Sequence, residues 1–177
     1  LFRHARPLPA ARVASRVSSI PDRALLRREL RQRRRDLPAS VRIAAANTLA
    51  DRLLALPFLP SSGHVAGYWA MDGEIGLHAF QLRLPPTLTY CLPLLHADES
   101  LRFAPWRAGA PLVTNRFGIP EPDLDPDDGL PASAMAMLVL PLVGFDARCN
   151  RLGMGGGWYD RSLAFRRETP APPWLVG

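Results

Sequence analysis

The chain has 177 residues, with 22 basic side chains against 16 acidic ones and a formal net charge of +6. That length suits one domain with a substantial core. Its 47% hydrophobic and 21% charged residues match a globular chain, and no apolar run approaches the roughly 18 residues of a membrane span.

The positive charge suits a polyanion such as nucleic acid or nucleotide. Every basic residue is Arg and none is Lys, however, a skew that with the Ala and Pro richness points to coding bias rather than recognition. Cys91 and Cys149 are too few and too far apart for a disulfide framework or a zinc site, so a reducing, cytoplasmic setting is the default.

Residues 1–20 lack a sustained apolar period and hold Pro7 and Pro9, with Pro21 just beyond, and they read as a disordered leader. Arg3, Arg6, Arg12 and Arg16, without acids, resemble a transit peptide in composition, but no apolar signal core accompanies them and the chain opens on Leu1. A fragment boundary or a mis-called start accounts for both features.

Pro21-Asp22 opens a helix over Arg23–Asp36, with Leu25, Leu26 and Leu30 as a thin apolar stripe and a solvated arginine face comprising Arg28, Arg31, Arg33, Arg34 and Arg35. Pro38 stops it. Ser40 is positioned to cap a second helix from Val41 to about Leu56, whose Ile43, Ala46, Leu49, Leu53 and Leu56 recur near 3.6-residue spacing.

His64–Trp69, between Ser61-Ser62-Gly63 and the Asp72-Gly73 turn, reads as the first strand. A helical stretch follows Glu74 to about Leu84. Leu88–Leu95 reads as a second strand broken at Pro93, and Leu101–Trp106 as a third, nearer an edge. The acidic, Pro-rich stretch 120–131 reads as a loop. Met135–Val143 is the most apolar run and suits a buried strand, with a helix from Trp158 to before Pro170. Strands alternating with helices predict one α/β domain over 21–177, a mixed, mostly parallel sheet with helices on both faces.

The chemistry concentrates in Phe145-Asp146 and the run Arg151-Leu152-Gly153-Met154-Gly155-Gly156-Gly157-Trp158-Tyr159-Asp160-Arg161. A buried strand running into a Gly-rich loop and a helix aims backbone N–H groups at an anion, and phosphate is the natural ligand. No Lys-Ser/Thr follows the glycines, and their spacing does not fit a dinucleotide fingerprint. Arg151 offers a planar fork for phosphate oxygens and Asp160 a hard carboxylate for Mg²⁺. The plainer readings are a flexible turn for the glycines, core packing for Trp158 and Tyr159, and a solvated ion pair for Asp160 and Arg161.

This run resembles the signature of the 5-formyltetrahydrofolate cyclo-ligases, also called methenyltetrahydrofolate synthetases. The resemblance extends upstream to Arg23-Ala-Leu-Leu-Arg27, Met71-Asp72-Gly73-Glu74-Ile75 and Asn115-Arg-Phe-Gly-Ile-Pro-Glu-Pro122, in order across roughly residues 22–177. It implies conversion of 5-formyltetrahydrofolate to 5,10-methenyltetrahydrofolate with ATP as co-substrate and Mg²⁺ as cofactor. Implied ATP contacts are Arg23, Arg27 and residues 151–159, with Arg151 and Tyr159 as the catalytic pair. Implied folate contacts are Trp69, Met71, Glu74 and Trp158, and the implied metal ligand is Asp160.

Arg23 stands where the family has Lys, and Cys149 where it usually has Gly in a turn that favours positive φ. His64, His78 and His96 match nothing catalytic and are expected to be structural or exposed. The chain ends at Trp174-Leu-Val-Gly177, where the family continues to another metal-ligating Asp, so a domain lacking its last strands is expected. Two alternatives stand beside the enzyme: an inactive remnant that still binds ATP, and a nucleic-acid-binding module using the arginine helix, which lacks interleaved stacking aromatics. The expected partners are small molecules, with the protein acting as a monomer away from membranes.

Overall fold

The computed structural model describes residues 22–177, so the expected leader lies outside the described residues. Helix α1 (Arg23–Arg35) starts where the Asp22 carboxylate accepts the Ala24 N–H at 2.9 Å and stops ahead of Pro38. Helix α2 (Ala39–Leu54) starts earlier than its expected Ser40 cap. Pro38 occupies the cap position with φ preset at −56°, and its carbonyl accepts the Arg42 N–H.

Strand β1 (Gly63–Ala66) is shorter than expected; the next residue, Gly67, still donates its N–H to the Cys91 carbonyl at 3.0 Å and lies against Tyr90, whose side chain fills the space of a Cβ there. After α3 (His78–Leu82), only five residues long, β2 (Leu88–Leu95) runs through Pro93 unbroken. β1 pairs with β2 only as far as Cys91, so a residue without an N–H two places on costs no ladder bond on that side. β3 (Leu101–Pro105) then runs antiparallel to β2, with Pro93 opposite Phe103.

The stretch expected to be a loop contains structure. β4 (Leu112–Thr114) and β5 (Pro120–Pro122) form a hairpin, closed by the Asn115 side chain accepting the Phe117 and Ile119 N–H groups. A 3₁₀ turn at Pro126–Asp128, capped by Asp125, leads to β6 (Leu130–Pro131) on the edge beside β3. β7 (Met137–Val139) is the buried strand, shorter than the apolar run around it. A hairpin of β8 (Gly144–Phe145) and β9 (Arg151–Leu152) intervenes between it and the glycines, so the strand does not enter the loop directly. α4 (Trp158–Ser162), a 3₁₀ turn at Ala164–Arg167 and β10 (Trp174–Val176) complete the described chain.

The main sheet has the order β10-β7-β1-β2-β3-β6, parallel from β10 to β2 and antiparallel beyond. Its period-2 alternation creates two cores. Val65, Tyr90, Leu92, Met137 and Val139 face Ala50 and Leu53 of α2 and Phe80 of α3. Ala66, Cys91, Phe103 and Leu138 face the other way, against Trp158, Tyr159 and Phe165. The expected α/β class, with helices on both faces, is what the chain adopts.

Candidate active site

A cleft of about 770 Å³ opens among α1, the segment after β1, the β4–β5 hairpin and the Gly-rich loop. It gathers Arg23, Arg27, Trp69, Met71, Glu74, Arg151, Gly153, Met154, Gly155, Gly156, Gly157, Trp158, Tyr159 and Asp160. Of the expected site residues, Leu152 alone does not line it. It is buried beneath, its carbonyl accepting the Val143 N–H at 2.8 Å.

One wall is built for anions. The Asp146 carboxylate closes the β8–β9 turn by accepting the Arg148 and Asn150 N–H groups, each at 2.9 Å, and Cys149 takes φ +61° there. The positive φ expected of that turn is thus present, occupied by a side chain. Arg151 donates to the Pro141 carbonyl at 2.9 Å and meets the Asp160 carboxylate at 3.2 Å, with its guanidinium 5.5 Å from the Tyr159 ring centroid. A Cβ at Gly153 would lie 2.8 Å from the Arg151 guanidinium, so glycine lets the arginine fold over the loop. Arg27 reaches across from α1 to the Gly153 carbonyl at 2.7 Å. Five arginines line the cleft against three carboxylates, and the surplus positive charge favours a polyanionic ligand.

The other wall is aromatic. Trp158 stacks edge-on with Phe117, centroids 5.9 Å apart, and Arg116 sits 5.3 Å from both rings. Trp69 meets Trp106 edge-on at 5.7 Å and belongs to the core as much as to the cleft. Met71 is exposed. Glu74 is neither an exposed turn acid nor a free one: its side chain is 13% exposed and accepts the Met71 N–H at 2.9 Å. Burial pushes its carboxyl above the ordinary value, against the opposing charge of Arg34. Burial also raises the Tyr68 phenol to about 12 and moves the Tyr159 phenol upward.

The arginine face of α1 differs from the expectation. Arg28 is exposed and Arg33 pairs only with Glu29 at the surface, as expected of solvated residues. Arg31, Arg34 and Arg35 instead converge on one carboxylate, Asp72, at 2.7, 3.3 and 2.9 Å. Desolvation works to raise the Asp72 carboxyl, but the hydrogen bonds from Arg35 and Arg31 prevail and hold it at about 2. Arg31, Arg34, Asp72, Tyr68 and Phe117 are cleft residues that sequence reasoning missed. The available signal was spacing: Arg23, Arg27, Arg31 and Arg34 recur at helical period on one face.

His96 lies between Asp98 and Asp127, 2.8 Å from each, while His78 is exposed and His64 half-buried. None of the three lines the cleft. Among the described residues no three or more His, Cys, Asp or Glu side chains converge as a metal cage. Asp160 is a lone carboxylate at the cleft, its side chain 79% exposed, and would fit one position of a cation held mainly by other ligands.

Fold and cleft together define a class: an α/β domain in which an arginine-braced glycine loop faces an aromatic, carboxylate-bearing wall. Residues 19–175 match the model of the 5-formyltetrahydrofolate cyclo-ligase family, and the chain belongs to that family of cyclo-ligase enzymes. It is 36% identical over 144 residues to a 5-formyltetrahydrofolate cyclo-ligase of Haemophilus influenzae, covering 80% of this chain and 77% of the relative. It is 38% identical over 138 residues to the Escherichia coli protein of that name, covering 76% and 75%. Among solved structures, Aquifex aeolicus 5,10-methenyltetrahydrofolate synthetase superposes with a TM-score of 0.69 at 26% identity, over 80% of this chain and 72% of the other. A methenyltetrahydrofolate synthetase of Mycoplasma pneumoniae shares the fold, with a TM-score of 0.61 at 20% identity over 85% and 80%.

Proposed function

We propose that this chain converts 5-formyltetrahydrofolate to 5,10-methenyltetrahydrofolate, with ATP becoming ADP and phosphate. The observation that carries the reading is the single cleft joining the glycine-loop wall to the wall of Glu74, Trp69 and Trp158. A triphosphate on one wall and a pterin on the other would meet within it.

The formyl oxygen of an amide leaves poorly. Attack by that oxygen on the γ-phosphorus breaks the bond to ADP and turns the oxygen into a phosphate ester. N10 then attacks the activated carbon, its proton is lost, and departure of phosphate leaves the methenyl bridge. Such a transfer needs positioning and charge neutralisation more than a protein nucleophile. Arg27, Arg151 and the loop N–H groups would neutralise the phosphates, and Tyr159, its phenol kept protonated by burial, would bound the reacting centre. Asp160 would supply one oxygen to nucleotide-bound Mg²⁺, whose chemistry is to draw charge from the phosphoryl oxygens. Glu74 would hold the folate, and Trp69, Met71 and Trp158 would give it flat, apolar contact.

The arginines of α1 support this reading over nucleic-acid binding, because three of them are paired with the Asp72 carboxylate, which offsets part of their charge. Small-molecule chemistry by a monomer in the cytoplasm is the setting we assign. Among the described residues no helix is long and apolar enough to cross a membrane, and both cysteines are free thiols. Oxygen-18 placed in the formyl group tests the route: the label should appear in inorganic phosphate, and its retention in water or in the folate would refute phosphorylation of the formyl oxygen.

A further inference from the structure

Glu74 depends on a second residue for its placement. One of its carboxylate oxygens accepts the Met71 N–H, and the other faces Nη1 of Arg34 at 3.5 Å. That nitrogen is closed off from solvent and has no hydrogen-bond partner. The other two nitrogens of the same guanidinium are anchored: Nε donates to the Asp72 carbonyl at 3.0 Å and Nη2 to the Asp72 carboxylate at 3.3 Å. Because the guanidinium is rigid and planar, anchoring two nitrogens fixes where the third points.

We propose that Arg34 is the positioning residue of the folate wall: braced on Asp72, it aims an unspent N–H at Glu74 and keeps that side chain an oriented carboxylate for the substrate. This rests on the reading of Glu74 as the folate-holding group. The charged and titratable groups facing Glu74 are Arg34 and Arg31 from α1, Asp72 from its own turn, Tyr68 from the segment after β1, and Tyr159 from α4. Of these only the two arginines favour its charged form, and Arg31 is committed to Asp72 at 2.7 Å. Burial opposes the charge, and the Met71 N–H and then Arg34 work against that burial to favour the ionised carboxylate. α1 thereby serves both walls, with Arg27 on the glycine loop and Arg34 on the folate turn.

The test is a titration of the protein labelled with carbon-13 at its glutamate carboxyls, the Glu74 signal being assigned by its loss in Glu74→Gln. Arg34→Ala and Arg34→Gln should raise the Glu74 midpoint by roughly one unit or more, Arg34→Lys by less, and the surface change Arg33→Ala not at all. Affinity of Arg34→Gln for 5-formyltetrahydrofolate at neutral pH should fall about tenfold or more, with affinity for a non-hydrolysable ATP analogue retained. If Arg34→Ala does not fold, the Gln and Lys variants carry the test. An unchanged midpoint overturns the proposal. So does unchanged folate affinity in Arg34→Gln alongside a loss in Glu74→Gln. A shifted midpoint with full folate affinity in Glu74→Gln would instead remove Glu74 from the folate, a failure of the functional reading and not of the grip of Arg34 on Glu74.

Discussion

Asp160 and Glu74 are both carboxylates of the cleft, yet their surroundings predict different losses. Asp160 is exposed and touches only Arg151, so Asp160→Ala should leave stability within about 1 kcal/mol of the parent while abolishing Mg²⁺-dependent turnover. Chemical denaturation and a steady-state assay check the two halves, and equal turnover in variant and parent would end the assignment. Glu74→Gln should instead raise KM for 5-formyltetrahydrofolate by about tenfold to a hundredfold and leave KM for ATP nearly unchanged. The motif residues were legible because glycines and aromatics in a fixed order are rare. Arg34 was not. It differs from Arg33 only in the direction it leaves α1, and what gives that direction meaning is Asp72, 38 residues away. The expected place of Arg34 on a solvated face gives way to its contacts with Asp72 for this reason.

Among the elements, the β8–β9 hairpin and the end of β1 carry the sharpest tests. Cys149 occupies φ +61°, a conformation costly for a residue with a Cβ, so Cys149→Gly should stabilise the protein by about 1 kcal/mol. Unchanged or lowered stability on urea unfolding would show that the turn tolerates the side chain. Gly67→Ala would push a Cβ into the Tyr90 hydroxyl, so we expect a loss of about 1–3 kcal/mol, partly recovered by adding Tyr90→Phe. The long apolar or amphipathic segments, α1, α2 and β2, were readable from period and length. The short ones were not, because β4, β5 and β6 are two or three residues held by partners distant in sequence or by the Asn115 side chain. Pro93 misled for a related reason: a proline interrupts a strand only where a neighbouring strand needs its N–H.

At the scale of the molecule, α1 contributes no buried residue and is docked by polar contacts to the Asp72 turn and the glycine loop. The folded Asp72 carboxyl, at about 2, lies below its ordinary 3.8. Its contribution to stability is therefore present above about pH 4 and lost as pH falls toward 2. In urea unfolding at stepped pH, Asp72→Asn should flatten the acid limb of stability, and parallel limbs would exclude this ion cluster as the clasp.

The most direct measurement is the absorbance of the methenyl product as the protein acts on 5-formyltetrahydrofolate with Mg²⁺ and ATP. The account predicts product formation that requires ATP and releases one phosphate per methenyl group. Folded protein that binds ATP and yields no product would contradict it and leave an inactive relative of the family.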